Sequence, residues 1–163
     1  MEEDSKYSID KIAKTSMITA YDIRYGWGAR EGIGSGYSLG ELDGTWQSML
    51  SLAPGGINVA LFRPYLWEVR NPLMLLSALE SLITLFFTLY VLFGVGLKFP
   101  RYLKSEVIFC FVFVLIFAFG VGISSYNFGT LSRYKIPLLP YYFSALALIY
   151  SQWKVDRRLI VKE

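Results

Sequence analysis

Glu80 is the only charged residue in a run of 26 residues, 72–97, that is otherwise apolar or hydroxyl-bearing. It lies eight residues beyond Pro72, roughly 12 Å along a helix. A carboxylate at that depth in hydrocarbon is costly unless it is paired or reaches water. Its chemistry is therefore that of a buried ion pair or polar plug, or of a substrate or proton path. A second set is Arg133, Tyr134 and Lys135, just before another apolar run. Arg presents a planar donor fork suited to phosphate or carboxylate, and Tyr sits well at headgroup level. Two roles fit this set, headgroup anchoring and recognition of an anionic lipid-linked group. Arg133 is also the expected partner of Glu80. A third set, Arg63, Trp67 and Arg70, mixes charge and aromatic rings with Pro64 and Pro72 and reads as interfacial anchoring.

The remaining inventory narrows the chemistry further. The chain has no histidine, which removes the commonest general base and metal ligand and, with them, most hydrolase and metalloenzyme readings. The single cysteine, Cys110, lies in an apolar run and can form no intramolecular disulfide. No catalytic residue, metal site or cofactor is assigned. A net charge of +3 without a basic stripe does not suit nucleic acid.

Composition divides the 163 residues in two. Residues 1–70 hold 7 Lys/Arg and 9 Asp/Glu, whereas residues 71–163 hold 9 and 4. The first part is expected at the outer membrane–water interface. A helix is expected over 8–25, with Ser8 as N-cap and Ile9, Ile12, Ala13, Met17 and Ala20 near one face. Seven glycines in the nineteen residues 26–44 read as a loop, with no phosphate-binding motif among them. Residues 45–62 read as two short amphipathic pieces broken at Pro54-Gly55-Gly56, lying on the bilayer or against neighbouring helices.

The second part holds three runs expected to cross a bilayer, 72–97, 107–123 and 136–153. The last is short, with Pro137 and Pro140 making its start irregular. The fold expected is thus an all-α membrane protein: three transmembrane helices preceded by amphipathic or interfacial helices and a Gly-rich loop. A soluble chain of this length could not bury such runs. Small residues at 94, 96, 120, 122, 145 and 147 are the expected helix contacts. Residues 98–104 and 124–135 are expected as loops, and 154–163 as a basic cytoplasmic tail. Seven Lys/Arg flank one side of the spans and four the other. The positive-inside bias then places the C-terminus in the cytoplasm and the N-terminal segment outside, in a multi-pass protein of the cell membrane. The acidic start, without an apolar core, does not read as a cleavable signal.

Arg133-Tyr134-Lys135-Ile136-Pro137-Leu138-Leu139-Pro140, preceded by Asn127-Phe128-Gly129-Thr130, resembles the R-Y-x-x-P-x-x-P start of a late transmembrane helix. That pattern occurs in bacterial glycosyltransferases that use polyprenyl-phosphate sugars and in O-antigen polymerase-like proteins. Leu61 to Glu68 followed by Asn71-Pro72-Leu73-Met74 adds to the likeness, which covers about residues 40–150. The resemblance implies the C-terminal portion of a multi-spanning inner-membrane protein of cell-envelope polysaccharide biosynthesis. It also implies Arg133 and Tyr134 as contacts to a lipid-linked pyrophosphate saccharide. The acidic catalytic residue of such enzymes belongs to an early outward loop, so catalysis by this chain alone is not implied. The partners expected are the bilayer, a polyprenyl-phosphate-linked saccharide and further membrane helices or subunits. The alternative function is a small accessory or assembly subunit of a larger membrane complex. A transporter or channel component is a third, resting on Glu80 alone.

Overall fold

A computed structural model describes residues 12–22, 36–40 and 43–160. The described chain is helical, with one isolated antiparallel bridge between Gly36 and Asn127. Its helices, in chain order, are α1 (Ile12–Tyr21), α2 (Trp46–Ser51), α3 (Ala53–Phe62), α4 (Pro72–Val95), α5 (Ser105–Ser125), α6 (Phe128–Tyr134) and α7 (Leu138–Ile160). Short 3-10 segments cover Leu66–Glu68 and Gly96–Tyr102. The expected N-cap Ser8 and most of the glycine-rich stretch lie outside the described residues.

Local chemistry sets the helix ends. Thr45 caps α2 by accepting from the Ser48 N–H, and Asn71 caps α4 by accepting from Met74 N–H at 2.8 Å. Pro72 occupies the first turn of α4, where its missing N–H is harmless. Gly96, at φ +56°, ends that helix in a conformation other residues avoid. Tyr126 takes the left-handed region at the end of α5, and Asn127 then caps α6 through the Gly129 and Thr130 N–H groups.

Two stretches are long and apolar enough to cross a membrane, Pro72–Tyr102 and Ser105–Ser125. Only 22% and 33% of their most apolar windows are buried inside the molecule, which is not how a soluble core helix behaves. Leu73, Leu76, Ile83, Phe86 and Phe93 of α4, with Phe109 and Ile116 of α5, point outward. What is buried is a seam of smaller or polar groups: Ala78, Ser81, Thr84, Thr88 and Val91 from α4, and Val107, Cys110, Val114, Ala118 and Gly122 from α5. In the seam, Thr88 Oγ1 and Tyr142 OH share a hydrogen bond of 2.8 Å between α4 and α7.

Four expectations about organisation need correction. Pro54-Gly55-Gly56 does not break a helix; the break falls at Leu52, and Pro54 starts α3 in the first turn, where proline is tolerated. The glycines instead allow close approach: a Cβ on Gly122 of α5 would stand 2.1 Å from the Gly56 carbonyl oxygen. So α3 is packed on α5, with Val59, Ala60 and Leu61 buried. Residues 124–135 are not a plain loop, since they contain α6, which Asn127 nucleates. Residues 98–104 lie largely in 3-10 helix. The basic tail begins as helix, because α7 runs on to Ile160. Of the small residues expected at contacts, Gly94 seats Trp153, Gly122 meets Gly56, and Ala145 is buried. Gly120 faces open space, Gly96 serves as a terminator, and Ala147 is exposed.

Helix α7 packs along α5 and runs parallel to α4, from the level of Ser81 at one end to that of Tyr102 at the other. It is less apolar than α4 and α5, carrying Pro140, three tyrosines and Gln152 before the charged last turns, and it falls outside the two candidate spans.

Candidate functional site

The start of α4, the end of α5, α6 and the turn before α7 meet at one end of the bundle, with the end of α3 among them. Here the chain concentrates its internal charge. Arg63 follows α3; its Nε donates to both Glu68 carboxylate oxygens, at 3.1 and 3.0 Å, and its Nη2 pairs with Oε1 as well. Glu68 Oε2 also accepts from the Tyr65 N–H at 2.8 Å. Burial acts to raise the Glu68 carboxyl, but the Arg63 guanidinium and the Tyr65 N–H outweigh it and hold it below the usual carboxylate range. The Arg63 guanidinium lies 5.5 Å from the Tyr37 ring centre and 5.3 Å from that of Phe128. Tyr37 is itself tied to α5 by its hydroxyl, which donates to the Gly122 carbonyl at 3.0 Å, and its N–H donates to Tyr126. Burial pushes its phenol well above the ordinary tyrosine range.

The network continues into α4. Ser81 Oγ donates to the Arg63 carbonyl at 2.9 Å, and Lys135 Nζ donates to Ser81 Oγ at 3.1 Å. Lys135 Nζ also stands 3.2 Å from Glu80 Oε1; its side chain is 1% exposed, against 41% for Glu80. The pairing of Glu80 with Arg133 expected from the sequence is therefore replaced by one with Lys135. The reason is helical phase. Two residues along α6 amount to about 200° of rotation, so Arg133 faces out where Lys135, closing the helix, turns in. Arg133 and Tyr134 are exposed, and Arg133 has no ion pair among the described residues.

Of the other anchors, Trp67 is exposed and stacks on Tyr65 at 4.7 Å between centroids. Arg70 is exposed and near enough to Glu68 to help keep it ionised. Arg63 lies inward, in the network. Sequence reading missed Tyr37, which sits in the glycine-rich stretch, and Ser81, a hydroxyl in an apolar helix. The spacing Arg63–Glu68 across a proline was the one visible sign of their ion pair.

Chemically, the cluster binds and positions. Its two carboxylates are both paired with cations, and among the described residues no three His, Cys, Asp or Glu side chains group to hold a metal. Arg133, which is exposed on α6, is presented to solvent beside it, as is Tyr134. Comparison with protein-family models, with curated proteins and with solved structures finds no match to this chain.

Proposed function

We propose that this chain is a three-span helical membrane module of cell-envelope polysaccharide machinery, presenting Arg133 and Tyr134 to a lipid-linked phosphate rather than catalysing transfer itself. The observation that carries this reading is the division of labour within residues 133–135. Lys135 is consumed by Glu80 and Ser81, and so fixes the turn from which α7 departs. Arg133 remains outward, with no ion pair among the described residues. α7 counts as the third span because it accompanies α4 along its length; the residues up to Trp153 lie in hydrocarbon and Lys154 onward in the cytoplasmic headgroups. The N-terminal segment and the Arg133 end then face outward, in agreement with the charge bias.

The test is binding of a polyprenyl phosphate and of the matching polyprenol to the full chain in nanodiscs, read by native mass spectrometry. The phosphate should bind preferentially; Arg133→Ala should abolish the preference and Arg133→Lys should keep part of it. Equal binding of the alcohol and the phosphate would sink the reading.

A second reading, an accessory subunit of a larger membrane complex, is favoured by the broad apolar face of α4. A photo-crosslinking residue at Phe86 should then give one stoichiometric protein adduct in native membranes. Adducts to lipid alone would dismiss it.

A further inference from the structure

At the opposite end of the bundle Tyr90 of α4 and the C-terminal half of α7 line an open groove of about 680 Å³, within the usual volume range of ligand sites. Its floor is aromatic. Tyr90 and Tyr150 face each other at 5.8 Å between ring centres, and Trp153 lies against Gly94. Gly94 lets the ring seat closely, since a Cβ there would stand 2.9 Å from the indole and push it outward. Its walls are basic. Lys154 Nζ lies 5.5 Å from the Tyr150 ring centre, the Arg157 guanidinium lies 5.2 Å from that of Trp153, and Arg158 lines the same groove. None of these three cations has a carboxylate partner among the described residues. The acid nearest in sequence, Asp156, is turned to the other side of α7, where it accepts from Tyr102 OH at 3.1 Å and stands 3.6 Å from Arg101.

The groove opens onto a stripe. Ile83, Phe86 and Tyr90 recur at i, i+3 and i+7, and all are exposed, so one apolar track runs from mid-helix of α4 to the basic rim. A cationic rim with aromatic rings beneath it, continued by a greasy track, complements a molecule with an anionic head and an acyl tail. From this we infer that the groove between α4 and α7 is a binding site for an anionic phospholipid of the cytoplasmic leaflet. The phosphate sits among Lys154, Arg157 and Arg158, and one acyl chain lies along Phe86 and Ile83. Rings stacked under the cations hold them in place while leaving their N–H edges for the phosphate. The inference rests on the membrane reading above, but on different residues from the outward Arg133 site.

The full chain in nanodiscs of mixed phosphatidylglycerol and phosphatidylcholine tests it, with retained lipid counted by native mass spectrometry. The native chain should retain phosphatidylglycerol in preference. Each basic residue near an anionic surface is worth about 1 kcal/mol, or roughly fivefold. Replacing Lys154, Arg157 and Arg158 together by Gln should thus lower the preference by tenfold or more. Replacing Arg101 and Lys104 by Gln removes charge from the far side of α7 and should leave the preference in place. Brominated phosphatidylglycerol should quench the native chain more than a Trp153→Phe variant, which reports the groove without altering its charge. Unchanged preference in the triple variant, equal loss in the Arg101/Lys104 variant, or displacement of the lipid by soluble inositol hexaphosphate would each overturn the inference. Insertion without lipid preference would refute the groove alone, whereas failure of the chain to enter the bilayer would refute the membrane reading with it.

Discussion

Replacing Glu80 by Gln leaves the Lys135 ammonium buried beside neutral acceptors only. At 3.2 Å the raw attraction between the two charges is about 5 kcal/mol with an effective dielectric constant near 20. Two effects reduce it. The ammonium has been taken out of water, and the Glu80 side chain, 41% exposed on the outside of the bundle, is screened only as far as water reaches that depth of α4. A net coupling of about 1–3 kcal/mol remains. The two single substitutions should not be equivalent. Glu80→Gln strands a cation that is 1% exposed and should destabilise by about 2–3 kcal/mol. Lys135→Met keeps the apolar stem and leaves a carboxylate on the exposed side of α4, able to snorkel toward the outer headgroups, and should cost less than the stranded ammonium. The double variant should be less damaged than the sum, because it buries no unpaired charge. A double-mutant cycle on reversible unfolding in mixed micelles measures this directly. A coupling below about 0.5 kcal/mol would refute the reasoning. So would a greater loss from Lys135→Met than from Glu80→Gln.

Three further outcomes follow from other parts of the bundle. Gly122→Ala should separate α3 from α5 and lower stability by about 1–3 kcal/mol or more, whereas Gly120→Ala, which meets nothing within 4 Å, should be neutral or slightly stabilising by thermal melting. Because the Glu68 carboxyl is held below its ordinary value, the stability it brings is complete above about pH 4.3 and is lost as pH falls through the lower folded value. Glu68→Gln should flatten that acid limb, and an unchanged pH profile would count against the Arg63 pair. In a Cys110→Ser background, a cysteine at Ser132 should react with impermeant maleimide on intact cells and one at Lys104 only after permeabilisation; the reverse pattern would invert the proposed topology.

The apolar runs were legible because long helices that expose apolar side chains show that character in every residue, and α4 and α5 lie within two residues of the runs read for them. Helix α6 was not legible. Its seven residues read as polar, and what makes them helical is the Asn127 cap after the left-handed Tyr126. Helix α3 was misread because glycines weaken an isolated helix, whereas here Gly56 meets a distant glycine and Gly55 meets Leu39. At the charge cluster the types were readable and the partner was not. Glu80 needed a cation, and choosing Lys135 over Arg133 requires the rotation of α6, which no local spacing supplies. The groove of α7 had a visible signature in Tyr150, Trp153, Lys154, Arg157 and Arg158 at helical intervals, but the polar end of the chain read as a tail.

The meeting of Gly56 and Gly122 has a consequence for how this sequence can change over generations. Most packed pairs drift together, one side chain shrinking as its neighbour grows. Here each partner is already the smallest residue available, and backbone atoms touch without side chains between them. A side chain at position 122 would run into the backbone of Gly56, and no substitution at position 56 can make room for it. Rescue can come only from sliding or tilting α3, which would also move Arg63 from the rings of Tyr37 and Phe128 and its carbonyl from Ser81. Position 122 is thereby held at glycine by the backbone of a helix distant in sequence, and the charge cluster is held in place with it.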